Sequence, residues 1–232
     1  AAIVVTANDR DKGLAQGIRR AANYRLIRSG IELSRFGHPQ QSPALVREQL
    51  GIPAGVPIVG SVTRLSEQKA PLDLVNACAH IHRQRPETWF VIVGDGPLRP
   101  AVEEAIEDQG LSARVVLTGL RRDIPEIMAV FNVFVLSSLW EGLPRVLPQA
   151  MATSLPIVCT RADGSAEAVI DGENGFLVPK GEAELLAGKV LTLLGDDELR
   201  RRMGENGRSR APEFGAEKMV RDIEALYRSL LD

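Results

Sequence analysis

The sequence predicts an α/β protein built on a doubly wound, Rossmann-like parallel sheet. Short β-branched runs alternate with longer amphipathic stretches along the whole chain. Most of those runs are apolar at nearly every position instead of at every second one, which is the pattern of strands covered by helices on both faces. A hydrophobic fraction of 44% and a charged fraction of 25% over 232 residues supply enough apolar surface for a full core and exclude intrinsic disorder.

Taken in order, the first strands are Ala2–Thr6 (AIVVT) and Tyr24–Arg28 (YRLIR), with a helical stretch between them. That piece is too short for a domain, so residues 1–37 are expected to be the tail of a preceding, mostly absent N-terminal domain with its exit segment. Residues 38–54 are rich in Pro, Gly and Gln and read as a linker. A single larger domain is expected over 55–232.

Within it the strands are Pro57–Val62 (PIVGSV), Trp89–Gly94 (WFVIVG), Arg114–Gly119 (RVVLTG), Val133–Ser138 (VFVLSS), Pro156–Thr160 (PIVCT) and Gly175–Pro179 (GFLVP). A helix is expected over Pro71–Gln84, with Leu72, Val75, Ala79 and His82 as its apolar stripe. Val102, Ala105 and Ile106 mark another. Pro144 opens a third, which Pro148 is expected to kink slightly. Asp163 is a candidate cap for a short helix after Gly164 and Ser165. Two more helices are expected, over Gly181–Leu194 and Ala216–Leu231, the last carrying Met219, Ile223, Leu226 and Leu230 on one face.

Several function classes fall away on composition. With 28 Lys and Arg against 30 Asp and Glu, the net charge of −2 gives no electrostatic footprint for nucleic acid or an anionic membrane. Cys78 and Cys159 are the only cysteines, too few for a disulfide scaffold or a cysteine-rich zinc site, and they fit a reducing cytoplasm. The longest apolar run, Ile127–Leu139, is interrupted by Asn132 and falls short of the roughly 20 residues a membrane span needs. No basic segment opens the chain as a secretory signal would. The sequence starts without Met inside a β-branched run and reads as a piece of a larger protein.

The residues that carry chemistry sit after strands, where doubly wound sheets bind ligands. Arg64 and Lys69 lie five positions apart in a loop that leads into a helix. Two fixed cations beside a helix N-terminus suit a diphosphate; alone, they read first as a solvated charged loop, since surface Lys and Arg are abundant. The turn GDGPLRP carries Gly94 and Gly96, which could let backbone approach a ligand, though by itself the loop reads first as a plain strand–helix turn. It lacks the third glycine of the dinucleotide fingerprint, which counts against a nicotinamide cofactor. Glu141 precedes Gly142 and a helix start; it is either a pocket wall or a charge that favours the helix dipole. Glu167 is likewise surface or site. His38, His80 and His82 form no metal pattern, and no Ser/His/Asp arrangement is present.

The order of these segments is more specific than any one of them. VGSVTRLSEQKAPLDLVNA, FVIVGDGPLRP, VVLTGLRRDIPEIM, VFVLSSLWEGLPRVLPQAMATSLPIVCT and AEAVIDGENGFLVP, in this order, closely resemble the C-terminal domain of retaining glycosyltransferases with the GT-B fold, the large family 4 group, also called glycosyltransferases group 1. The segment YRLIRSGIELSRF is similar to the family's exit from its N-terminal domain, with Ser29 and Glu32 where Asn and Asp are usual.

The resemblance implies the C-terminal half of a GT-B fold that binds a UDP- or GDP-type nucleotide-sugar without a metal. Arg64 and Lys69 match the pair that holds the diphosphate and stabilises charge on the departing nucleotide. Glu141 matches the first acid of the family's paired-acid motif, which contacts the transferred sugar, with Gly142 and Leu143 offering amides nearby. The second acid, which binds ribose, falls at Gln149, a neutral side chain that still hydrogen-bonds. Leu120 and Arg121 match the loop beside the base. Gly60, Gly94 and Gly96 fall in the matched nucleotide-binding strands and turns, and Ala70 replaces a usual Gly. The implied partners are the donor, an unknown sugar, lipid or other acceptor, and the N-terminal domain. The implied place is the cytoplasm, with the parent protein at the inner membrane face as a variant. Two rival readings remain open at this point: a degenerate nucleotide-sugar-binding module, favoured by Gln149, and a GT-B-fold sugar-nucleotide epimerase.

Overall fold

The computed structural model describes residues 1–18 and 20–231. Ala2–Val4 (β1), Ala7–Ala15 (α1) and Tyr24–Leu26 (β2) form a small unit in which the two strands pair in parallel. Thr6 caps α1 by accepting the Asp9 amide at 2.9 Å. Ser34–Gly37 (α2) and Pro43–Gln49 (α3) follow. The main body then runs Ile58–Val62 (β3), Pro71–Gln84 (α4), Trp89–Val93 (β4), Arg99–Asp108 (α5), Val115–Gly119 (β5), Ile124–Met128 (α6) and Val133–Leu136 (β6). It continues with Val146–Ala152 (α7), Ile157–Thr160 (β7), Ser165–Ala168 (α8), Gly175–Val178 (β8), Ala183–Gly195 (α9), Asp197–Arg210 (α10) and Ala216–Leu231 (α11).

The six main strands pair in the order β5-β4-β3-β6-β7-β8, every pair parallel. The chain builds outward from β3 in one direction, then returns to β6 and builds outward in the other. The crevice between β3 and β6 at their carboxyl ends is therefore the switch point of the sheet.

Two apolar clusters, one on each face, explain the unbroken apolar runs. Along β4, Phe90 and Ile92 join the cluster under α4, α5 and α9, whereas Val91 and Val93 join the cluster under α6 and α7. Along β6, Val133 and Val135 face one way, and Phe134 and Leu136 the other. Successive side chains alternate as in any strand, but both sides are dry. Asn132 belongs here too: its side-chain Oδ1 accepts the Ile58 amide at 2.7 Å, and its own amide donates to the Ile58 carbonyl at 2.7 Å, so it joins the starts of β3 and β6.

All eight expected strands are present, each shorter than its apolar run by one or two residues. Other expectations change. The stretch 38–54 is not a free linker: Ser42 caps α3, and Val46 and Ile52 are buried in the core beside Phe36. Pro43 at the first helical position made this helix possible despite the composition. In α4, Leu72 is 38% exposed, and the buried face is Leu74, Val75, Cys78 and Ile81, because α9 and α5 cover the helix from the other side. Pro148 causes no loss of a helical bond in α7; it lies in the first turn, where amides have no intrahelical partner anyway. Asp163 does not cap α8. The N-cap is Gly164, and the Asp163 carboxylate instead holds Lys12 at 3.0 Å.

Helix α10 escaped sequence analysis because its buried face is Met203, Gly204 and Gly207, which forms no apolar stripe. Its backbone approaches so closely that a Cβ on Gly204 would lie 2.1 Å from the Ser154 carbonyl oxygen. Helix α11 buries Leu226 and leaves Leu230 exposed.

The first unit is fastened to the main body. The Ile31 amide donates to Phe214 O at 3.0 Å, and the Ala216 amide to Ile31 O at 2.8 Å. Glu167 accepts the Ala7 amide at the start of α1 and also pairs with Arg28 at 3.2 Å. Its two possible roles, surface or site, thus resolve into a third: it anchors α1.

Candidate functional site

The β3 and β6 loops meet at the switch point and are laced together by hydrogen bonds. After β3 the chain passes Arg64, makes a single helical turn over Glu67–Lys69, and enters α4 through Ala70. Ala70 has a left-handed backbone (φ 42°, ψ 58°), which disfavours a side chain. The Leu139 amide donates to Gln68 O at 2.8 Å, and Gln68 Nε2 donates to Trp140 O at 2.9 Å. The Ser137 hydroxyl lies 2.8 Å from Lys69 O and 3.0 Å from Ala70 O and donates to them as a shared bond.

These bonds place Lys69 against Glu141. The Lys69 ammonium donates to Glu141 Oε1, which also accepts the Ser138 hydroxyl at 2.6 Å. Glu141 is only 8% exposed, so these two donors satisfy a carboxylate that burial would otherwise leave without partners. Among the described residues its second oxygen, Oε2, accepts no hydrogen bond. Arg64 is exposed and, among the described residues, has no ion-pair partner.

A cleft of about 610 Å³ opens beside these groups, lined by Arg64, Lys69, Gly94, Gly96, Leu120 and Arg121 together with Pro144, Arg145 and Val146. Its far wall is the β5–α6 loop. Leu120 is 82% exposed there and offers an apolar surface. Arg121 is held by both oxygens of Asp123, at 2.8 and 2.6 Å. That hydrogen bond keeps the Asp123 carboxyl below its ordinary range against the opposing effect of burial.

The glycines divide. Gly94 (φ 132°) and Gly96 line the cleft, but the space a Cβ would need is already taken by protein: Thr63 O at 1.8 Å and Leu65 O at 2.3 Å. They let the β4 turn close onto the β3 loop, sealed by Leu65 N to Asp95 O at 3.0 Å and Leu98 N to Leu65 O at 2.9 Å. Gly60 is not brought to the cleft. It sits inside β3 with the Phe131 ring 2.1 Å from where its Cβ would be, so its place in the matched segment reflects packing and not contact with a ligand. Gly142 is exposed next to Glu141, and its carbonyl lies against Gly164; Leu143 is buried. Gln149 is half-buried on α7, one turn beyond the cleft-lining Val146, and its side chain makes no hydrogen bond among the described residues.

Arg145 and the serine pair were missed by sequence analysis. Arg145 adds a further exposed cation to the cleft. Its signal was its place directly after Pro144. Ser137 and Ser138 read as the end of a strand, and nothing local distinguishes them from any serine there. Among the described residues, no three His, Cys, Asp or Glu side chains form a group able to hold a metal ion. None of the described helices is long and apolar enough to cross a membrane.

Comparison with known proteins agrees with this architecture. Residues 44–210 match the family model described as glycosyl transferases group 1. The lipopolysaccharide core biosynthesis glycosyltransferase LpsE of Rhizobium meliloti is 34% identical over 75% of this chain and 50% of that protein. The Escherichia coli UDP-Gal:alpha-D-GlcNAc-diphosphoundecaprenol alpha-1,3-galactosyltransferase is 32% identical over 87% of this chain and 53% of that protein. The chain thus spans about half the length of these curated relatives. Among solved structures, Anabaena HepE in complex with UDP superposes with a TM-score of 0.90 at 27% identity, over 98% of this chain and 63% of that one. With the family model covering most of the chain and the sheet following the GT-B pattern, the protein belongs to the glycosyl transferases group 1 family.

Proposed function

We propose that the chain is the donor-binding half of a retaining glycosyltransferase, which moves a hexose or related sugar from a UDP- or GDP-type donor to an acceptor. The observation that supports this most is the pairing of Lys69 with Glu141 at the switch point, beside the cleft that Arg64 lines. Arg64 and Lys69 bind the diphosphate and offset the charge that grows on it as the sugar leaves. Such cations do the work of a metal at the phosphates, so none is required. Glu141 receives a hydroxyl of the sugar, and the base lies against Leu120 and Arg121. Relatives whose names and complexes include UDP-Gal, UDP and UDP-glucose favour a uridine donor.

Acceptor positioning and closure of the site against water fall to an N-terminal domain that residues 1–37 would join. On this reading the chain alone binds donor and transfers no sugar, in the cytoplasm or at the inner membrane face. A second reading, a binding module without catalysis, rests on Gln149, a neutral side chain where the family carries a carboxylate.

Thermal denaturation with UDP, GDP, ADP, NAD and the matching nucleotide sugars tests the proposal. A uridine or guanosine diphosphate at a hundredfold excess over its Kd should add about 2.7 kcal/mol of stability. Stabilisation by NAD and by no nucleoside diphosphate overturns the reading, and sugar transfer by this chain alone overturns its division into halves.

A further inference from the structure

We propose that Ser138 is a positioning residue for sugar recognition: it fixes the rotamer of Glu141 so that Oε2 is the oxygen presented to the donor sugar. This rests on the donor-binding reading above.

Glu141 has two oxygens and an unequal set of partners. Oε1 takes both the Lys69 ammonium and the Ser138 hydroxyl, the latter at 2.6 Å. Oε2 takes no hydrogen bond from any described residue, and it is not sealed from solvent. A carboxylate bound by two donors on one oxygen cannot rotate without breaking both, so the direction of the second oxygen is set before any ligand arrives.

Ser138 is itself held. It is fully buried, and its carbonyl accepts the Thr160 hydroxyl from the end of β7. The neighbouring Ser137 holds the backbone of Lys69 and Ala70. Two consecutive serines at the end of β6 therefore fix both partners of the ion pair, one through its backbone and one through its carboxylate. Ser138 does not line the cleft; its contribution passes through Glu141 alone.

The test is calorimetric titration of the full chain with UDP, UDP-glucose, UDP-galactose, UDP-N-acetylglucosamine, GDP and GDP-mannose. The quantity read is the preference for the tightest nucleotide sugar over its parent diphosphate. Ser138→Ala should lower that preference about fivefold, the scale of one typical net hydrogen bond, and leave diphosphate affinity unchanged. In a Glu141→Ala background the same substitution should change the preference no further. Ser138→Cys keeps the volume and donates weakly, so it should fall between wild type and Ser138→Ala, and it stands in if the alanine variant does not fold. An unchanged preference in Ser138→Ala, with UDP or GDP still bound, overturns this inference and spares the donor-binding reading. Equal losses for diphosphate and nucleotide sugar also overturn it, since a loosened cleft would do that. Failure of the wild-type chain to bind any of the six ligands overturns both.

Discussion

Lys69 and Glu141, 72 residues apart in sequence, share a hydrogen bond across the line where the sheet reverses its direction of growth. Their side chains are only 19% and 6% exposed. Arg64, five residues before Lys69, is by contrast exposed and unpaired among the described residues. The two cations expected to act as a pair therefore stand in different relations to the fold.

That difference separates two substitutions. Arg64→Ala should change stability by less than about 0.5 kcal/mol, as exposed sites do. Lys69→Ala leaves the buried Glu141 carboxylate without its cation and should cost about 2 kcal/mol. Both should weaken UDP binding by about tenfold or more, through a lost charge-assisted hydrogen bond. Urea denaturation with UDP titration checks the pair; equal stability in the two variants would contradict the burial of the Lys69–Glu141 bond.

Ala70→Gly should stabilise the protein. Ala70 holds a left-handed backbone at φ 42°, a conformation that costs a side-chain-bearing residue about 1–2 kcal/mol. Glycine removes that strain but adds freedom to the unfolded chain, leaving a gain of about 1 kcal/mol. A higher urea midpoint at unchanged slope is the expected result.

Gly60→Ala should be among the most damaging small substitutions in the sheet. Its methyl group would fall 2.1 Å from the Phe131 ring inside a packed core, so a loss of about 3 kcal/mol is expected. Trimming the ring in Gly60→Ala/Phe131→Leu should return part of that loss, which a double-mutant cycle measures.

Acid should loosen the cleft wall and the α1 anchor. Hydrogen bonds from Arg121 and from Lys12 hold the carboxyls of Asp123 and Asp163 below the ordinary aspartate value of 3.8. A group whose folded-state value is depressed contributes stability above its unfolded value and loses it as pH falls through the folded one. The contribution is therefore present at neutral pH and disappears below pH 3.8. Both pairs are partly solvated, so each contributes about 0.5 kcal/mol. Asp123→Asn and Asp163→Asn should each flatten the acid limb of a stability–pH curve by that amount.

On the proposed donor-binding reading, Gln149→Glu sets a carboxylate beside the ribose. A carboxylate accepts ribose hydroxyls more strongly than a neutral amide does, so UDP binding should tighten by up to about 1 kcal/mol, roughly fivefold. A 2′,3′-dideoxy analogue should show no such gain, because it has no ribose hydroxyls to donate.

The sequence by itself determined the sheet and the loops in which a site was to be sought. Unbroken apolar runs such as VFVL and WFVIV, rich in β-branched and aromatic residues, are the pattern of strands dry on both faces, as in a parallel sheet with helices on each side. Doubly wound sheets bind ligands after their strands, which singled out Arg64, Lys69 and Glu141 as candidates. What the tertiary structure alone decided is how those groups stand to one another. Local sequence carries no information about partners 72 residues away, so it left open that Lys69 is bound to Glu141 while Arg64 is not. It also left open that Gly60 is filled by Phe131, that Ser138 grips Glu141, and that 38–54 folds into the core. In each case the deciding contact joins segments distant in sequence, and only the closed, packed sheet brings them within reach.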